Sequence, residues 1–177
     1  MPSSSNRLKK ASFLGGFFVV VFLVLTACNT ARADKKMVFR YNEPAGIPSL
    51  DPAFAKEKSS IWAVQQLYEG LVALDANNGI APALAIEWKI DSTATVYTFR
   101  LRDARFHNGK TLTSEDVVYS LTRLKDPRVA SPGSWVVEGV SACKAIDPLT
   151  VEIVLQKPNA SFLSLLAMPF CSVISSG

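Results

Sequence analysis

A single histidine, His107, is the only side chain in the sequence with an ordinary pKa suited to shuttling protons near neutral pH. It precedes Asn108-Gly109 in a predicted turn, and no Gly-x-Ser-x-Gly elbow comes before it to supply a nucleophile. A partly buried side chain hydrogen-bonded within its own loop is expected, not the base of a Ser-His-Asp triad. Glu115 and Asp116 are neighbouring carboxylates, but they fall in the first turn of a predicted helix, where negative charge complements the macrodipole. A structural role is therefore expected before an acid–base one. Three cysteines and one histidine leave little room for a metal cluster. There is no glycine-rich phosphate loop of the Walker or dinucleotide type. The residues thus predict neither an enzyme nor a bound cofactor.

Among the aromatics, Trp88 alternates onto an apolar face and is expected in the core, while Trp62 is expected half-exposed on a helix. Trp135 follows Ser131-Pro132-Gly133-Ser134 in a loop and has no periodic partner. It must either lid the core or touch a ligand.

The chain has 177 residues, is 49% hydrophobic, and carries a formal charge of +4. That excess does not describe a nucleic-acid surface. Arg7, Lys9 and Lys10 sit in an acid-free opening segment, and without them the basic residues outnumber the 15 acidic ones by only one. These three charges precede an apolar run, residues 13–25 (FLGGFFVVVFLVL). The run has the length of a signal h-region and is too short to span a bilayer as a helix. Leu25-Thr26-Ala27-Cys28 resembles the lipobox of bacterial lipoproteins. Residues 1–27 are accordingly expected to be removed and Cys28 to be acylated, holding the chain firmly at a membrane. Residues 28–36 then form a short polar tether. Asn29 is not the aspartate that best marks inner-membrane retention. After export, Cys143 and Cys171 would meet an oxidising compartment; a disulfide and burial as free thiols are both open.

Residues 37–41 (MVFRY) read as a strand, and residues 42–52, with Pro44, Gly46, Pro48 and Pro52, as turns. Ser59 or Ser60 is a candidate N-cap for a helix over residues 61–68, with Ile61, Val64, Leu67 and Tyr68 as its apolar stripe and Gly70 as its stop. Residues 71–74 are a short strand, followed by a turn over residues 75–79. The clearest signal is a hairpin. Ile86, Trp88 and Ile90 alternate on one arm and Tyr97, Phe99 and Leu101 on the other, around a turn at residues 91–94. Thr113 with Asp116 makes a capping box for a helix bearing Val117, Leu121 and Leu124 and ending at Asp126-Pro127. A strand over residues 149–155 and a short helix over residues 162–167 complete a mixed α+β reading. Residues 172–177 follow an apolar, strand-like run directly, with no polar tail, which suggests a piece of a longer protein.

Six motifs then occur in order: Ser49-Leu50-Asp51-Pro52, Leu67-Tyr68-Glu69-Gly70-Leu71, Pro82-Ala83-Leu84-Ala85 with Trp88, Tyr97-Thr98-Phe99-Arg100-Leu101-Arg102, Phe106-His107-Asn108-Gly109, and Glu115-Asp116-Val117-Val118-Tyr119-Ser120. Together they resemble the N-terminal part of the solute-binding proteins of peptide-type ABC importers, which take up oligopeptides, dipeptides or nickel. Asn108 stands where many relatives carry Asp.

The resemblance implies an incomplete α/β fold of the type II periplasmic-binding-protein class. Residues 37–68 would be the first segment of lobe I, residues 69–160 the small extra domain, and residues 161–177 the start of the return to lobe I. It implies that a peptide lies extended between two lobes, paired through its main chain, and is delivered to an ABC permease in the membrane by a monomeric, periplasm-facing lipoprotein. It places Ala55, Lys56, Glu57, Lys58, Ser60 and Trp135 against the ligand. Lys56 and Lys58 could meet a carboxylate and Glu57 an amine, although a charged loop is also an ordinary solvated face. The rivals are a binder of another solute such as a nickel chelate or sugar derivative, a secreted hydrolase dependent on His107, and a structural envelope lipoprotein.

Overall fold

The computed structural model describes residues 37–44 and 46–177. The expected signal segment, Cys28 and the tether to residue 36 lie outside the described residues. Residues 43–177 form one compact unit. Residues 37–42 are not part of it, and the strand expected at residues 37–41 does not form. A strand needs a neighbour to take its N–H and C=O groups, and this stretch is paired in neither described sheet.

Residues 51–54 turn tightly, with the Asp51 carboxylate accepting the Ala53 N–H at 3.0 Å and Pro52–Phe54 forming a 3₁₀ turn. Helix α1 runs over Lys58–Leu67, three residues ahead of the expected start. Glu57, in extended conformation, takes the N-cap position. Ser59 and Ser60 are instead buried in the first turn, where Ser60 Oγ accepts the Ser49 N–H at 3.4 Å. The helix also ends before Gly70. Tyr68 is already extended (φ −133°, ψ 157°), and Gly70 serves close packing: a Cβ there would lie 3.2 Å from the Leu166 carbonyl oxygen.

Strands β1 (Val72–Leu74) and β2 (Ile80–Pro82) form a two-stranded antiparallel sheet around the turn at Asp75, whose carboxylate accepts the Asn77 and Gly79 N–H groups at 2.8 Å. The predicted hairpin follows as β3 (Ala85–Ile90) and β4 (Val96–Leu101), with Trp88 opposite Phe99 and Ile90 opposite Tyr97. The Asp91 carboxylate organises the turn by accepting the Val96 N–H at 2.8 Å and the Thr95 N–H at 2.9 Å. Beyond Gly109, in the left-handed region at φ +86°, helix α2 spans Ser114–Lys125 with the predicted capping box. Strands β5 (Val140–Asp147) and β6 (Thr150–Leu155) pair antiparallel, and helix α3 covers Phe162–Leu166. The strand-like run before residue 172 is a 3₁₀ turn, Pro169–Cys171, because Pro169 cannot donate to a ladder.

The main sheet has the order β3-β4-β6-β5, antiparallel throughout. Its inner face carries Phe99, Leu101, Val151, Ile153 and Leu155, which join Val117, Leu121 and Leu124 of α2 and Phe162 and Leu166 of α3 in one core. Phe162 meets Tyr97 edge-on, with ring centroids 5.0 Å apart. Because β3 is an edge strand, its alternation buries less than expected. Ile86 and Ile90 stay 48% and 45% exposed, while Trp88 is partly buried against Phe99.

Candidate functional site

Two separated stretches meet at one groove. Its walls are Pro48, Ser49, Phe54, Lys56, Glu57 and Ser60 on one side and Ala130 and Pro132 on the other, around an open volume of about 430 Å³. Proline and the Asp51 cap prevent the first wall from becoming helix before Lys58. In the second wall, Asp126 ends α2 by accepting the Arg128 N–H, and Ala130 then adopts a left-handed conformation (φ 49°) rare for a residue with a Cβ. That reversal brings Pro132 to the groove.

The walls are joined beneath the surface. The buried Ser131 hydroxyl donates to the Ala53 carbonyl oxygen at 2.6 Å and accepts the Gly133 N–H at 3.0 Å. Arg123, in the last turn of α2, grips Asp51 with both terminal guanidinium nitrogens, Nη1 lying 2.9 Å from Oδ1. Partial burial alone would push the Asp51 carboxyl up. The Arg123 guanidinium and the Ala53 N–H outweigh it and hold the group below its ordinary value of 3.8.

The structure places the candidate residues unevenly. Lys56 and Glu57 are exposed and line the groove with Ser60, whose side chain is buried at its base. Ala55 is fully buried and donates its N–H to the Pro52 carbonyl at 3.1 Å. Lys58 is exposed on the first turn of α1 and is not among the lining residues. Trp135, 52% exposed, borders a different hollow with Lys157, Asn159 and Phe162. Sequence reasoning missed Pro48, Ser49, Phe54, Ala130 and Pro132 as groove walls, although the turn signals at Pro48 and Pro132-Gly133 lay among them.

His107 is exposed, not partly buried, since its turn is closed by backbone bonds between Phe106 and Lys110 and between Gly109 and Phe106. It lines a second hollow beside Tyr68, Phe106 and the Arg102–Glu69 ion pair, and no serine or cysteine lines that hollow. Among the described residues no group of His, Cys, Asp and Glu is placed to hold a metal ion. Nor is any described helix long and apolar enough to cross a membrane.

Residues 79–176 match the sequence model for bacterial extracellular solute-binding proteins, family 5 Middle. The chain belongs to this family. It is 34% identical over 158 residues to the periplasmic murein peptide-binding protein MppA of Escherichia coli, a match covering 78% of this chain and 29% of that protein. With the periplasmic oligopeptide-binding protein OppA of Salmonella typhimurium it shares 30% identity over 196 residues, covering 96% and 35%. The structure of Listeria monocytogenes OppA bound to peptide superposes with a TM-score of 0.71 at 35% identity, over 73% of this chain and 29% of that one. The family 5 chain described here thus spans about a third or less of the length of these relatives.

Proposed function

We propose that this chain contributes one wall of the solute cleft in the extracytoplasmic binding component of an ABC importer, and that the solute is a peptide. The observation that carries this reading is the groove in which Lys56, Glu57 and Ser60 face Ala130 and Pro132, in a chain whose relatives include named peptide binders. An extended peptide presents main-chain N–H and C=O groups at regular intervals together with two terminal charges. Lys56 suits its carboxylate and Glu57 its amine, while the polar rim accommodates water around varied side chains. Trp135 would contact solute from the adjoining loop, and Ala55 and Lys58 would support the first wall.

In this reading residues 37–68 belong to lobe I, residues 69–160 form the small domain, and residues 161–177 lead back to lobe I. Contacts to two lobes favour the closed form, which a permease then recognises. Acylation of Cys28 keeps the binder at the membrane beside that permease, and no bond in the solute is made or broken.

Residue-resolved NMR of the chain with millimolar trialanine tests this. Weak binding is expected, with amide shifts concentrated at Ser49, Phe54, Lys56, Glu57, Ser60 and Ala130 and the peptide recovered intact. Shifts centred instead on His107, or hydrolysis of the peptide, would overturn the proposal.

A further inference from the structure

We infer that the Asp51–Arg123 ion pair and the Ser131 hydroxyl bridge are the positioning elements that set the spacing of the two groove walls. The inference rests on the groove being the solute site, and it concerns residues that line no part of that groove.

The argument is one of connectivity. The first wall hangs on the 3₁₀ turn Pro52–Phe54, and the second on the loop after α2, residues 126–133. No strand ladder joins these stretches. Two polar links do so. At one, Asp51 divides its carboxylate between the turn and the helix: Oδ1 accepts the Ala53 N–H at 3.0 Å and Arg123 Nη1 at 2.9 Å, while Oδ2 takes Arg123 Nη2. A fork of this kind fixes both distance and orientation, which a single point charge does not. At the other, Ser131 Oγ donates to the Ala53 carbonyl oxygen and itself accepts the Gly133 N–H. Ala53 is thus held through its N–H by Asp51 and through its C=O by Ser131. The next residue, Phe54, lines the groove, as do Ala130 and Pro132 on either side of Ser131.

The pieces around these links are rigid in different ways. α2 is anchored in the core by Val117, Leu121 and Leu124, so Arg123 projects from a fixed support. Ala130, by contrast, sits in a costly left-handed conformation that the surrounding loop must enforce. Loss of the fork would free Asp51 and release the turn. It would also let Ala53 drift from Ser131, leaving the Ala130 segment to relax. Groove spacing, not overall stability, is then the quantity most affected, since Asp51 and Arg123 lie at the margin of the core.

The test compares Arg123→Leu, Arg123→Lys and Ser131→Ala with the unmodified 177-residue chain. Amide exchange at Ala53 and Gly133 reads the two links directly, since their N–H groups donate to Asp51 Oδ1 and Ser131 Oγ, exchange along the β4–β6 ladder reports the core, and the trialanine titration reports the groove. In Arg123→Leu, exchange at Ala53 and Gly133 is expected to quicken about tenfold and trialanine affinity to fall about tenfold, with the β4–β6 ladder unchanged. Arg123→Lys keeps the charge without the fork and should recover only part of both. Ser131→Ala should quicken Gly133 and weaken trialanine while leaving the Arg123 side-chain signals in place. Unaltered exchange and titration in Arg123→Leu, or full recovery by Arg123→Lys, overturn the positioning role and leave the peptide reading standing. An unmodified chain whose groove amides do not respond to trialanine overturns the peptide reading itself, and with it the tie between these links and solute.

Discussion

Asp116 has the structural role expected of it, as the capping-box carboxylate of α2. It is fully buried, accepts the Thr113 N–H at 3.0 Å and the Ser176 N–H at 2.8 Å, and lies 3.2 Å from the Lys110 ammonium. Burial by itself would push its carboxyl up. The Ser176 and Thr113 N–H groups, the Ser176 hydroxyl and Lys110 together hold it below 3.8. A depressed folded-state value means that this stabilisation is complete above the unfolded value and is lost as the pH falls through the folded one, so the loss lies below about pH 4. Asp116→Ala is expected to cost about 2–4 kcal/mol by urea unfolding at pH 7, because two N–H groups and an ammonium lose their partner. The gap between variant and parent should narrow below pH 4.

The thiols allow a second check. Burial pushes Cys143 and Cys171 up to about 12, and both are free in the structure. Neither carries appreciable thiolate at pH 8. Iodoacetamide should therefore label Cys171 only on unfolding and Cys143 slowly before it, as followed by mass spectrometry. Rapid labelling of both in the folded chain would contradict this burial.

At the level of elements, packing decided what local pattern left open. Strand β5 (VSACKAID) has few β-favouring residues and no clean alternation, yet it pairs along β6 from Val140 opposite Leu155 to Asp147 opposite Thr150. Its signal lay in the partner strand, not in itself. Gly133 shows the reverse, a local freedom used for a distant neighbour. Its φ of −91° suits any residue, but a Cβ there would come within 2.4 Å of the Phe170 ring, which belongs to the core. Gly133→Ala is expected to cost about 1–3 kcal/mol in chemical unfolding, since the ring must shift or the loop must open. A neutral result would mean that the loop moves at little cost. The short turn Pro169–Cys171 and helix α3 owe their positions to the same packing, with Phe170 and Leu166 both buried in the one core cluster.

For the whole molecule, the binding reading depends on a solute held from two sides, whereas the anchoring reading depends on the opening 28 residues alone. The two can be separated. Expressed in a bacterial host, the chain should incorporate labelled palmitate and fractionate with membranes, and Cys28→Ser should abolish both without altering the fold of residues 43–177. Labelling that persists in Cys28→Ser would remove the lipobox reading and leave the groove untouched.

Much of the architecture was legible in order along the chain. The hairpin at residues 85–101 and the capping box at Thr113 and Asp116 rest on contacts between residues near in sequence, so alternation and spacing determined them. The motifs from Ser49 to Ser120 likewise carried the family before any fold was known, and the family match over residues 79–176 bears it out. Contacts between distant residues were decided only by the tertiary structure. Asp51 meets Arg123 and Ala53 meets Ser131 across more than 70 positions. The start of α1 at Lys58, the exposure of His107 and the buried place of Ala55 likewise follow from what each segment packs against. Local propensity acts through a residue's own backbone and near neighbours. A groove is a relation between surfaces, and a single strand of sequence holds no record of which surfaces will face each other.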